Sequence, residues 1–144
     1  MVASKRFSLV RPTLQTLYHI DFQWWSQSDR NWRVYLRNYL SPEDQQLFQG
    51  DNEERVDLID PETAEVHQVD ALQHILITRY ANREDFIPPN ASITEAIFRL
   101  FLANGNVPMT VIELAEKLGR PPATILGMLS GRQVYKGIRP CQVN

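Results

Sequence analysis

The chain of 144 residues has one cysteine, six glycines and no apolar run approaching the roughly 18 residues that a membrane-spanning helix requires. A single thiol, Cys141, cannot close an internal disulfide or supply a cysteine-rich zinc site, so the fold must rest on its apolar core. That cysteine usage points to a reducing, cytoplasmic setting. Residues Met1 to Val10 hold no apolar stretch followed by a small-residue cleavage site, so no export signal or membrane contact is expected. Internal repeats and low-complexity tracts are missing too, which excludes solenoids and compositionally disordered chains.

Catalytic signatures are equally scarce. The sequence has no Gly-x-Gly-x-x-Gly, Gly-x-x-x-x-Gly-Lys-Ser/Thr, His-Glu-x-x-His or Gly-x-Ser-x-Gly. His19 and Asp21 share the polar side of an alternating run, and Asp70 and His74 stand at i and i+4. Each pair could ligate a metal or move a proton, but two ligands without a third do not make a typical site. Cys141 has no acid or base near it in sequence to activate it as a nucleophile. The chain reads as non-enzymatic, with no catalytic residue, metal or cofactor expected.

What is present is a 43% hydrophobic composition, enough for one compact domain or two small subdomains. The formal charge of −2 hides a partition. Residues 1–42 carry six basic and two acidic side chains, residues 43–85 three and twelve, and residues 86–144 six and three. Two basic ends thus flank an acidic middle, which marks either a binding surface or basic and acidic faces that pack on each other.

Period-two alternation through Leu14, Thr16, Tyr18, Ile20, Phe22 and Trp24 predicts a strand with one aromatic, buried face. Trp32, Tyr35, Leu36, Tyr39 and Leu40 recur at helical spacing after Ser28, predicting a helix over 29–40. Ser41, Pro42, Glu43 and Asp44 open a short helix running to about Phe48. After an acidic loop over 50–54, the β-rich runs 55–60 and 64–69 flank a Pro-Glu-Thr turn and predict a hairpin. With the first strand this hairpin could complete a three-stranded antiparallel sheet. Asp70 then caps a helix ending near Asn82, and Pro88-Pro89-Asn90 marks a boundary between an α+β platform, 1–87, and a second subdomain, 88–144.

The second subdomain has the stronger signals. Ser92 and Glu95 form a capping-box pattern before a helix that is apolar nearly all round apart from a Glu95/Arg99 stripe, so it should be central. Gly105 suits the left-handed cap at its end. Thr110 and Glu113 repeat the capping pattern before Val111–Leu118, Gly119 closes that helix, and a last helix follows from Pro122 with Ile125, Met128 and Leu129 as its apolar stripe. Ala115, Gly119 and Ile125 supply the small residue, the left-handed turn four residues on, and the β-branched plug six further that a helix-turn-helix needs. Gly127, mid-helix, predicts close approach of another backbone. Val134-Tyr135-Lys136-Gly137-Ile138 is similar to the lead into a wing.

Residues 92–141 therefore resemble the winged helix-turn-helix superfamily. The fold expected is α+β and mostly helical, a small N-terminal antiparallel sheet with helices followed by a C-terminal winged helix-turn-helix. The resemblance implies DNA binding, with the second motif helix in the major groove. Yet the outward positions Pro121, Pro122, Ala123, Leu126, Gly127 and Ser130 include none of the residues that grip guanine or adenine bidentately. Thr124 and Ser130 are the polar exceptions. Lys117, Arg120, Arg132, Lys136 and Arg139, with no acid after Glu116, offer phosphate contacts instead. In the N-terminal part Arg30, Arg33 and Arg37 share a helical face beside three tryptophans, of which Trp25 lies off the apolar side and is a candidate partner contact.

Two readings follow. In one, a transcriptional regulator or accessory factor binds nucleic acid, expected to be duplex DNA, through its backbone, and the platform serves dimerisation or a partner. In the other the winged helix is a protein-interaction module docking through Ala123, Leu126 and Gly127. Any phosphate contact should lie away from the acidic segment 43–85.

Overall fold

The computed structural model describes residues 11–47, 55–59, 61–80, 83 and 85–141, and they form an α+β fold in which helix outweighs strand. The predicted helix end at Phe48, the acidic loop over 50–54, Asp60, the helix end at Asn82 and the first ten residues lie outside the described residues. Among the described residues no helix is long and apolar enough to cross a membrane.

Strand β1, Leu17–Ile20, turns Tyr18 and Ile20 into the core, as its alternation predicts. It is shorter than the alternating run. Asp21 ends it by accepting a hydrogen bond from the Trp24 backbone N–H at 3.0 Å, which caps helix α1, Phe22–Ser28. Phe22 and Trp24 thus belong to a helix, and the change of period swings Trp25 inward to 3% exposure. Helix α2 is confined to Trp32–Arg37, because Asp29 binds the Asn31 N–H at its start and Tyr39 and Leu40 tighten into i−3 turns at its end. Leu36 and Leu40 are buried, with Trp32, Tyr35 and Tyr39 packed around them. Helix α3, Pro42–Leu47, starts at Ser41, whose hydroxyl accepts from the Asp44 N–H at 3.3 Å.

Strands β2, Arg55–Ile59, and β3, Val66–Asp70, form the predicted hairpin, with Ile59 opposite Val66 and Asp57 opposite Gln68. The hairpin does not join β1. It is a separate two-stranded sheet, and β1 instead lies between β4, Met109–Thr110, and β5, Ile138–Pro140, antiparallel to both. Asp70 caps helix α4, Ala71–Ile75, which widens into a π-helical turn over Leu76–Tyr80.

Helix α5, Ile93–Ala103, is central as expected, burying Ile97, Phe98, Phe101 and Leu102 completely. Helices α6, Val111–Leu118, and α7, Pro122–Leu129, pack beside it around Leu114, Ala115 and Ile125. One apolar cluster runs from Tyr18 and Leu36 through Leu72 and Leu76 to Phe98, Leu114 and Ile125, so sheet and core both cross the Pro88-Pro89 position.

Candidate functional site

The α6–α7 unit has the local geometry its residues call for. Thr110 and Glu113 form a reciprocal capping box: the Thr110 N–H donates to the Glu113 carboxylate at 3.0 Å, and the Glu113 N–H to the Thr110 hydroxyl at 3.1 Å. The Thr110 N–H, and its hydroxyl at 3.1 Å, both donate to the carboxylate and hold the Glu113 carboxyl below the usual range. Gly119 takes φ +64, and Ala115 and Ile125 are buried where the two helices meet.

The outward face of α7 is open from Pro121 to Thr124 and again at Gly127, Met128 and Ser130. Two expectations fail here. A Cβ on Gly127 would meet nothing within 4 Å among the described residues, so none of their backbone outside its own helix approaches it. Met128 is 37% exposed, because Ile125 and Leu129 turn to the core with Leu126 at their side. Leu126 is half-buried against that core.

The predicted cations divide into two groups. Lys117, Arg120 and Arg132 are exposed. The other two are taken up internally. Lys136 is ion-paired with Glu95, lies over the Tyr35 ring at 4.2 Å and has a side chain only 13% exposed. Arg139 bridges to Asp21 at 3.2 Å and lies over Trp24. Neither acceptor belongs to the acidic middle. Lys136 owes its place to the turn around it, since it and Gly137 take φ +46 and +77 and the Ile138 N–H returns to the Tyr135 carbonyl at 2.8 Å.

The N-terminal candidates also separate. Trp25, expected to be a partner contact, instead sits at the centre of an aromatic nest, 5.6 Å from Phe98, 6.0 Å from Trp32 and 6.1 Å from Tyr35. Arg33 pairs with Asp70 and is nearly buried, Arg37 is half-buried, and Arg30 is exposed ahead of α2. The basic face imagined for these three is therefore divided. Asp21 and Asp70 act as caps and ion-pair partners, and among the described residues no group of three or more metal-ligating side chains occurs. Burial, and then the Asp21 charge, push the Cys141 thiol above its ordinary value.

Sequence reasoning missed the role of Glu95. Ser92 does cap α5 by accepting the Glu95 N–H at 3.2 Å, but the carboxylate turns away from Ser92. It accepts from Tyr39 at 2.5 Å, Tyr35 at 3.3 Å, Arg99 at 3.1 Å and the Lys136 ammonium. Only the Arg99 spacing, i+4, announced any of this. Also unanticipated is a groove of 180 Å³ in which half-buried Ile87, Pro88, Ile93 and Leu118 meet Lys117 and Arg120.

No protein-family profile, curated protein or solved structure matches this chain.

Proposed function

We propose that the protein binds duplex nucleic acid non-enzymatically, in a cytoplasmic setting, as a transcriptional regulator or accessory factor that contacts mainly the phosphate backbone. The observation that carries this reading is the bracketing of α7. Its outward face is solvent-exposed, with exposed Lys117 and Arg120 before it and exposed Arg132 after it. Thr124 and Ser130 add neutral hydrogen-bonding groups on the same helix. With no Arg, Lys, Asn or Gln on that face, base readout is weak and charge dominates. Lys136 and Arg139 already hold carboxylates, so the phosphate count falls from five cations to three.

The test is duplex retention as a function of salt. Three phosphate contacts give a slope of log K against log salt of about −2.7, against about −4.5 for five. Arg132→Ala or Lys117→Ala should weaken retention and lower the slope by about 1, and Arg139→Ala should leave the slope unchanged. No retention near about 50 mM salt would end this reading.

A further inference from the structure

The β2–β3 hairpin and the groove beside α6 are complementary features of the same chain. In an antiparallel ladder, directly opposed residues share a face, so Asp57, Ile59, Val66 and Gln68 lie together. All four are exposed, and Ile59 and Val66 stand in water at 68% and 59% of their surface. This apolar pair is the last rung before the turn, beside exposed Glu62 and Glu65. Among the described residues the ribbon has only two strands and no neighbour along its edges; such a ribbon is marginal in water, and its edges and apolar tip favour being covered.

The groove offers the opposite pattern, an apolar floor of Ile87, Ile93 and Leu118 with Lys117 and Arg120 around it. We propose that the ribbon tip of one molecule docks in this groove of a second copy. Ile59 and Val66 cover the floor, and Asp57 and the turn glutamates face Lys117 and Arg120. If each molecule both gives and receives a ribbon, the pair closes with twofold symmetry. Self-association then occludes two of the three exposed cations that bracket α7, so nucleic acid and the second copy compete. The contact itself does not depend on nucleic-acid binding, because it is measured with none present.

Sedimentation velocity of the full chain at low salt, over a concentration series, tests the contact. A mass above that of the monomer, rising with concentration and falling with added salt, is expected. Ile59→Lys, and separately Lys117→Glu with Arg120→Glu, should each weaken association by about tenfold or more. The second variant leaves the hairpin untouched, so the test survives if the first disturbs it. The decisive arm mixes Asp57→Lys protein with the Lys117→Glu/Arg120→Glu protein: the mixed pair keeps one unaltered contact, the ribbon tip of the second in the groove of the first, and should form more readily than either variant's own pair. A monomer at every concentration, or association indifferent to both charge reversals, overturns the proposal.

Discussion

Lys136 and Glu95, separated by 41 residues, form an ion pair that fastens the turn before β5 to the first turn of the central helix α5. The Tyr35 and Tyr39 hydroxyls and Arg99 converge on the same carboxylate, so α2, α5 and the last turn meet at one anion. Replacing Glu95 by Gln leaves the nearly buried ammonium without its counter-charge. We expect a loss of about 2–3 kcal/mol, read from urea unfolding. Lys136→Met, which keeps the packing over Tyr35 and removes the charge, should cost less and leave the salt slope of nucleic-acid retention unchanged. A lower slope would return Lys136 to the phosphate-contacting set.

The same carboxylate sets an acid limb. Burial alone pushes Glu95 up, but hydrogen bonds from Lys136 and Tyr39, the Lys136 charge and Arg99 outweigh it and hold the group below the ordinary range. The folded protein therefore resists protonation there more than the unfolded chain does. Its contribution is complete above the unfolded value of about 4.3 and is lost as pH falls through the folded one. Wild-type urea midpoints should drop more steeply than those of Glu95→Gln below about pH 5. Parallel acid limbs would show that this carboxylate is not the group responsible.

At high pH the sign reverses. Burial, and then the hydrogen bond and charge of Glu95, push the Tyr39 hydroxyl far above its usual range. The unfolded chain ionises this group near pH 10, about its reference value, and the folded chain does not, so stability is present below that pH and falls above it. Tyr39→Phe should flatten the alkaline limb while lowering stability at neutral pH by about 1 kcal/mol for the lost hydrogen bond.

The two-helix unit α6–α7 was legible because each requirement is local. Ala115, Gly119 and Ile125 meet it through helical geometry and one positive φ, and capping by Thr110 and Glu113 spans a single turn. The N-terminal sheet was not legible, because strand pairing is non-local. Nothing in the residues of β1 says that its neighbours are 109–110 and 138–140 rather than the nearer hairpin. Trp25 was misplaced because a period-two pattern passes into a helix at Asp21, and a single capping residue inside an alternating run carries little signal. The candidate cations were all visible as charges. Which of them remain exposed depended on Glu95 and Asp21, residues 41 and 118 positions away from their partners.

The glycines separate structural from incidental positions. Gly137 has φ +77, and a Cβ there would stand 2.9 Å from the Trp25 Cβ and 3.1 Å from the Asp21 carbonyl oxygen. Both neighbours are fixed, Trp25 by the aromatic nest and Asp21 by its own N–H bond to the Gly137 carbonyl at 2.7 Å. Gly137→Ala combines left-handed strain with overpacking and should cost about 2–4 kcal/mol. Gly127→Ala, mid-helix with open space around it, should instead gain up to about 1 kcal/mol. A thermal-unfolding comparison in which the two substitutions shift Tm in the same direction would contradict this account.

Asp70 serves two structures at once. One oxygen accepts the N–H groups of Leu72 at 2.9 Å and Gln73 at 3.3 Å, capping α4, and the other pairs with Arg33 of α2. The two roles can be separated by substitution. Asp70→Asn keeps a good N-cap and removes the charge opposite Arg33, whereas Asp70→Ala removes both. The difference between the two variants is then the cap, about 1 kcal/mol, and the cost common to both is the ion pair that ties α2 to the end of the hairpin. If Asn and Ala were equally destabilising, capping would contribute nothing there, and α4 would be held by the burial of Ala71 and Leu72.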